Sequence, residues 1–278
     1  MRLLGFDNLT AIIVGACLSV TAEAVSIDIL EELNILKTRL GEIIVAAGTL
    51  DDIVEVLLVS LLVTFIHSIK NPGLGVFVII LDIIIFFILV YFAGYFLIPF
   101  VLKFISKKRQ KIDLFVFSLI LSLFMATASE YLGIGSLLGA LLAGMTMRYS
   151  LVKSKRGIIE EKQITEIIEI TTFGFMAPFF FIWIGMQSDF TFLLTNPLLG
   201  IVIALAAFGG KLFGSIIGNW IGKGSFIEGI TIGWGMNTRG EIELIAAELA
   251  RQSSLISNEV FSALVFMAFA TTIISPIL

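Results

Sequence analysis

The sequence is poor in the residues that commonly carry soluble catalysis and metal binding. Only one of its 278 residues is cysteine and only one is histidine. A single cysteine excludes an intramolecular disulfide, and no His-rich or Cys-rich metal spacing occurs. Charged residues make up 14% of the chain, whereas 58% is hydrophobic and the mean hydropathy is +1.05. These values indicate an integral membrane protein, so soluble enzyme chemistry and nucleic-acid binding are set aside.

The apolar runs between charged residues, glycines and prolines have helical length. A helix needs about 20 residues to cross the hydrocarbon core, and most of the runs are close to that length. We therefore predict an all-α polytopic membrane protein with about nine transmembrane helices, in one domain over residues 1–278. The charged stretch from Lys153 to Glu169 is predicted to be a loop or a short surface helix. The predicted segments are 8–30, 41–66, 74–103, 113–131, 134–149, 170–187, 196–221, 226–250 and 259–278.

Lysine and arginine are distributed unequally between the two sides of the predicted segments. Of the eighteen, thirteen fall in loops on one side, three fall on the other, and Lys211 and Arg239 lie within segments. Cytoplasmic loops collect basic residues, which predicts a plasma-membrane protein with its N-terminus outside and its C-terminus in the cytoplasm. No signal peptide precedes the first segment. The expectation is that the chain is N-terminally incomplete, beginning partway through a longer membrane domain.

Four places put polar groups well inside apolar segments. The most demanding is the adjacent pair Asp51 and Asp52, because a charged side chain at the bilayer centre costs about 2.5 to 3.5 kcal/mol on insertion scales. The others are Thr21 to Glu23, Lys211, and Asn237 to Glu241. Around residues 19–23 and 235–240, polar groups stand beside small residues, a pattern that predicts locally unwound helix.

The predicted directions of the segments indicate an internal repeat. The first segment runs from outside to inside and the eighth runs the opposite way, and the second and ninth are also opposed. An inverted repeat with two broken helices that cross near mid-membrane is an architecture of secondary transporters. Alternating access at a site between the broken helices is the expected mechanism.

The acidic pair suits the exchange of a cation for a proton. Asp52 is expected to bind either a monovalent cation or a proton, with Thr21 and unwound backbone carbonyls completing an oxygen shell. Asp51 points about 100° away around the helix and is expected to pair with Lys211. Glu55 shares the face of the pair and is expected to line a water-filled funnel.

Other interpretations of the same residues stay open. The Asp51 and Lys211 pair could serve helix packing alone, and Glu23 could line the ion path. An intramembrane aspartyl protease is disfavoured because its two aspartates must face each other from separate helices.

The second polar stretch is predicted to brace the crossing rather than to bind substrate. There we expect Arg239 to pair with Glu241, beside Asn237.

Several stretches together make the chain resemble the sodium/proton exchanger domain of the monovalent cation/proton antiporter family over essentially its whole length. The matching stretches are Ser19-Val20-Thr21, residues 36–41, Leu50-Asp51-Asp52, residues 132–144, residues 178–181 with Gly185-Met186, residues 210–214 and Thr238-Arg239-Gly240-Glu241.

The resemblance implies a secondary antiporter that exchanges a monovalent cation, in the first place sodium, for protons. The same resemblance implies that no cofactor is needed and that the protein is a homodimer. It implies that Asp52 binds the cation and that Asp51 pairs with Lys211, in the double-aspartate type that moves net charge. Glu23 stands where many relatives carry an apolar residue or proline, which implies a cation shell that includes it. The resemblance also implies that three or four N-terminal helices of the family domain are missing. Potassium/proton efflux and a non-transporting fragment or subunit are the alternatives.

Overall fold

A computed structural model describes Met1 and residues 5–70, 76–105, 111–153, 157–195 and 197–275, and these ranges contain helices and no strand. The helices are α1 (Asn8–Ser19), α2 (Glu23–Glu32), α3 (Arg39–Lys70), α4 (Val76–Phe92), α5 (Ile98–Ile105), α6 (Lys111–Tyr131), α7 (Ser136–Val152), α8 (Gly157–Thr171), α9 (Ala177–Gln187), α10 (Phe190–Thr195), α11 (Pro197–Ile221), α12 (Phe226–Gly235), α13 (Glu241–Gln252) and α14 (Asn258–Ile274).

Four helical stretches are long and apolar enough to cross a bilayer. Shorter apolar helices occur at Asn8–Ser19, Ser136–Val152 and Asn258–Ile274. The prediction of an all-α membrane protein is therefore confirmed. The four long stretches are Val78–Lys103, Ile112–Tyr131, Ile164–Gln187 and Pro197–Ile221.

The chain divides into two compact units. Unit 1 comprises Met1–Leu58 and Phe181–Leu278, and unit 2 comprises Val59–Phe180. The helix at the centre of unit 1 is α14, which contacts α10, α11 and α13. Most of its residues are buried, among them a run of six from Val260 to Val265. Phe266, Phe269 and Ile273 are exposed along one face, so α14 packs against its neighbours with the rest of its surface.

Two glycines set the close packing of α11 against α12 in unit 1. A Cβ atom at Gly229 would lie 2.9 Å from the Cα atom of Ile216, and one at Gly233 would lie 3.0 Å from the Cα atom of Leu212. Glycines four residues apart lie on one helix face and let two backbones approach closely. Any larger residue at either position would push α12 away from α11.

Helices α6 and α7 form a hairpin in unit 2. The connection contains Gly133 at φ 70° and Gly135 at φ 105°, conformations that favour glycine. The hydroxyl of Ser129 donates to the carbonyl of Gly135 at 2.7 Å, and the carboxylate of Glu130 accepts the N–H of Ser136 at 2.9 Å. These bonds fix the turn and satisfy the start of α7.

Each of two long helices in unit 2 contains a π-helical turn. The turns span Ala93–Leu97 and Thr172–Met176, and Pro99 and Pro178 lie two residues after their ends. Proline lacks an N–H group and clashes with the carbonyl four residues before it, which here falls inside the π turn. The wider turn accommodates that carbonyl, so the helix continues through the proline.

The continuous helix corrects one sequence prediction. Residues 153–169 were expected to form a loop or a surface helix, and a sixth membrane segment was expected to begin near residue 170. Instead α8 begins at Gly157 and continues through the π turn into α9. Its stretch Ile164–Gln187 is apolar enough to span a membrane despite Glu166 and Glu169.

Candidate functional site

The first helix break lies between α1 and α2. Helix α1 ends at Ser19, whose hydroxyl donates to the carbonyl of Ala16 at 2.7 Å. Val20 is extended at φ −65°, ψ 146°, and Ala22 lies at φ −91°, ψ 89° before α2 begins at Glu23. This is the interruption that the polar residues around Thr21 predicted. Thr21 itself is buried at 3% exposure.

The second break lies between α12 and α13, at residues 236–240. Helix α12 ends at Gly235, and α13 begins at Glu241 after an extended Gly240. Asn237, Thr238 and Arg239 are all buried. The sequence predicted this interruption as well.

The two breaks contact each other through reciprocal hydrogen bonds. The N–H of Ala22 donates to the carbonyl of Thr238 at 2.9 Å, and the hydroxyl of Thr238 donates to the carbonyl of Ala22 at 2.8 Å. The Ser26 hydroxyl lies 2.5 Å from the carbonyl of Gly235 and 2.8 Å from the Thr238 hydroxyl. A Cβ atom at Gly240 would lie 2.7 Å from the Cβ atom of Ala22. Glycine is therefore required for this approach.

Arg239 ties the second break to the first and to α14. Its Nη1 atom donates to the carbonyl of Val20. The backbone N–H of Arg239 donates to the hydroxyl of Thr272 at 3.1 Å, and that hydroxyl donates to the carbonyl of Arg239 at 2.9 Å. Arg239 therefore connects the second break with the first break and with α14.

The acidic partner of Arg239 differs from the predicted one. Its Nε atom lies 3.8 Å from Oε2 of Glu243, and both side chains are fully buried. Glu241 is exposed in the first turn of α13. Arg239 lies before the first residue of α13, and within that helix Glu241 and Glu243 point in different directions, so the buried Glu243 is the residue that faces Arg239.

Asp51 on α3 forms the ion pair expected for it. Its Oδ2 atom lies 2.7 Å from Nζ of Lys211 on α11, and the two side chains are 22% and 15% exposed. The same oxygen accepts the Thr21 hydroxyl at 2.5 Å. Asp51 therefore joins α3, α11 and the first break.

Glu55, one turn further along α3, is buried rather than lining a solvated funnel. It is 1% exposed, and its Oε1 atom accepts the backbone N–H of Thr21. Its Oε2 atom is buried, and no described residue forms a hydrogen bond with it. Thr21 thus contacts two carboxylates, Asp51 through its hydroxyl and Glu55 through its backbone.

The remaining predicted site residues have different environments. Asp52 is half-buried on α3. Asn237 is fully buried, and neither polar atom of its side-chain amide has a hydrogen-bond partner in the described part of the chain. The side chain of Glu23, predicted to line the ion path, lies outside the described residues. Thus Asp51, Thr21, Lys211 and Glu55 are linked by direct contacts.

Among the residues with described positions, no three His, Cys, Asp or Glu side chains converge as a metal cluster. A cavity of about 690 Å³ lies in unit 2, lined from α6, α7 and α8, and no acidic residue is among the described residues that line it. Helix α3, which carries Asp51 and Asp52, is a better candidate for binding cations than this cavity.

Broken helices that meet beside buried carboxylates are typical of ion-coupled secondary transporters. A family model, "Sodium/hydrogen exchanger, transmembrane", matches residues 1–278. The chain therefore belongs to the sodium/hydrogen exchanger family, whose members are cation/proton antiporters and not enzymes.

Curated relatives agree with the family. The chain is 28% identical to a Na⁺/H⁺ antiporter of Enterococcus hirae over 98% of this chain and 69% of that protein. It is 27% identical to the Na⁺/H⁺-K⁺ antiporter GerN of Bacillus cereus over 98% of this chain and 68% of that protein. The probable Na⁺/H⁺ antiporter GerT of Bacillus cereus is 29% identical over 95% and 67%. The chain thus spans roughly two thirds of the length of these relatives.

Proposed function

We propose that this protein is a secondary antiporter that exchanges sodium, or another monovalent cation, for protons across the plasma membrane. The observation that carries the proposal is the acidic stretch of α3 held against the first helix break, with Asp51 bonded to Lys211 and Thr21. The family and the printed names of the relatives support the same activity.

Asp52 is the residue that we assign to the transported ion. A carboxylate in a low-dielectric site is stable with either a proton or a cation, so the arrival of one displaces the other. Thr21 donates its hydroxyl proton to Asp51 and its N–H to Glu55, so it holds these two carboxylates in place. Exchange at one carboxylate makes transport of the two ions mutually dependent.

We infer nine membrane crossings arranged as an inverted repeat with alternating access. The two breaks that exchange hydrogen bonds through Ala22 and Thr238 support the crossing of two interrupted helices. The inferred crossings are α1 with α2, α3, α4 with α5, α6, α7, α8 with α9, α11, α12 with α13, and α14.

Orientation and assembly are part of the proposal. The basic loops support a first helix that starts outside and a last helix that ends at the cytoplasm. A homodimer is the assembly that the family resemblance favours.

We further propose that transport is electrogenic, with more than one proton exchanged for each cation. The ionised Asp51 beside Lys211 is the feature that supports this. An imposed membrane potential should then change the transport rate in vesicles, and a rate independent of potential would contradict the proposal.

The central experiment measures proton movement in proteoliposomes after sodium is added. Asp52→Asn should abolish sodium-dependent proton movement. Glu42→Gln is the matched control, because Glu42 is an exposed carboxylate on the same helix. If Asp52→Asn transports as well as the parent protein, the assignment of the ion to Asp52 is wrong.

Potassium/proton exchange is the second candidate. The relative GerN is named for sodium, protons and potassium. Replacing sodium by potassium in the same vesicles separates the two, since a response to potassium alone would select the second candidate.

A further inference from the structure

Glu55 has a buried carboxylate that the proposed exchange at Asp52 does not use. Glu55 lies three residues after Asp52 on α3 and is 1% exposed. Its Oε1 atom accepts the N–H of Thr21, and its Oε2 atom has no hydrogen-bond partner among the described residues. Burying a charged group without a partner is costly, so a structure that keeps such a carboxylate needs a means of neutralising it.

The cations near Glu55 are occupied by other carboxylates. Lys211 lies 2.7 Å from Asp51, and Arg239 lies nearest to Glu243 at 3.8 Å. Within the described part of the chain, Glu55 has no ion pair of its own within 4 Å. The charged groups whose fields reach it are Asp51 and Asp52 on its own helix, with Lys211 and Arg239.

We infer that Glu55 is a second proton-binding residue of the transport cycle and supplies a proton beyond the one exchanged at Asp52. This inference depends on the proposed antiport function. Because Oε1 already accepts the Thr21 N–H, the proton resides on Oε2, the oxygen without a partner. In the neutral form Glu55 adds no charge to the buried site.

Cation binding and proton release are linked through short distances. A cation at Asp52 lies within about one helical turn of Glu55, and its positive charge favours the ionised carboxylate. The O–H bond on Oε2 then breaks and the proton leaves to water on the side to which the site is open. When the cation departs, Glu55 regains a proton from the other side.

Thr21 holds Glu55 next to the acidic pair. Its hydroxyl donates to Asp51, and its N–H donates to Glu55. Asp52 and Glu55 lie about one helical turn apart, and carboxyl groups this close titrate as a pair rather than independently. With Asp52 exchanging one proton for the cation and Glu55 releasing a second, one net positive charge moves in each cycle, which is the electrogenic transport proposed above.

The test counts the protons released when sodium chloride is added to the purified, detergent-solubilised chain in weak buffer with a pH-sensitive dye. Bound sodium is measured in the same sample with a radioactive tracer. We expect two protons per sodium for the parent protein and one for Glu55→Gln, whose side-chain oxygen still accepts the Thr21 N–H. Glu55→Asp, which keeps a carboxyl group, should restore the second proton.

The controls separate this inference from the proposed function. Glu42→Gln should release as many protons as the parent protein. Equal release from the parent protein and monodisperse Glu55→Gln would overturn the inference, as would one proton from the parent or loss of sodium binding in Glu55→Gln. Asp52→Asn should bind no sodium and release no protons. If it still does both, the assignment of the ion to Asp52 fails, whatever Glu55 does.

Discussion

Asp51 and Lys211 are 160 residues apart in the sequence, and their side chains meet at 2.7 Å. The pair joins α3 to α11, and both side chains are mostly buried. Removing one partner of such a pair leaves the other charge in a poorly solvated place, which costs more than the pair contributes when intact. The ion pair is therefore expected to show its energetic role most clearly in a double-mutant cycle.

Lys211→Met should destabilise the protein by about 1 to 3 kcal/mol, less than for a fully buried pair because both side chains retain some exposure. Asp51→Asn in the same chain should recover part of the loss. Thermal denaturation in detergent, followed by size-exclusion chromatography, measures both effects. Lys37→Met, at an exposed position, should change little, and additive losses in the double variant would contradict a direct pair.

Gly240→Ala should weaken the crossing of the two breaks. The new Cβ atom would lie 2.7 Å from Cβ of Ala22, and such overpacking costs about 1 to 3 kcal/mol. Ala22→Gly in the same chain removes the opposing atom and should restore much of the stability. Thermal denaturation of the single and double variants provides the comparison.

Gly214→Ala is the control for that prediction, because a Cβ atom there meets nothing within 4 Å. Failure of Ala22→Gly to improve Gly240→Ala would show that the close approach is not the cause of any loss.

Thr21→Val should impair sodium activation while Thr21→Ser should not. Valine lacks the hydroxyl that donates to Asp51, whereas serine keeps it, and the backbone N–H to Glu55 remains in both. A hydrogen bond to a charged group contributes about 1.5 to 3 kcal/mol, which is roughly tenfold or more in apparent affinity. Sodium dependence of proton flux in vesicles measures this, and equal behaviour of both variants would argue against the bond.

Thr272→Val should destabilise the second break by about 1 to 2 kcal/mol. The hydroxyl of Thr272 accepts the N–H of Arg239 and donates to its carbonyl, so valine leaves two buried backbone groups without partners. The neighbouring Thr271 bonds only within α14, to the carbonyls of Met267 and Ala268. Thr271→Val is therefore the matched variant, and it should lose less in thermal denaturation.

Local composition predicted the two helix breaks and the contact between Asp51 and Lys211. Polar residues beside small ones marked the interruptions at Thr21 and at Thr238, because unwound backbone needs partners that apolar side chains cannot provide. The pairing of Asp51 with Lys211 followed from the cost of burying either charge alone. Both inferences depended on residue chemistry rather than on distant packing.

The parts that sequence reasoning missed depend on register and on tertiary contact. Arg239 pairs with Glu243 because α13 begins at Glu241. The sequence alone does not locate the first residue of that helix to better than about two positions. The charges in residues 153–169 suggested a loop, although α8 continues into α9 past Pro178. The burial of Glu55 arises from contact with Thr21, which no local pattern reveals.

The glycine contacts between α11 and α12 have a consequence for the electrostatics of the protein. Helix α11 carries Lys211, and α12 leads directly into the break that holds Arg239. Because Gly229 and Gly233 bring the two backbones into contact, one closely packed helix pair carries both positive charges. In the proposed antiport cycle, the charge on the acidic residues of α3 therefore varies beside two positive charges whose spacing this packing sets.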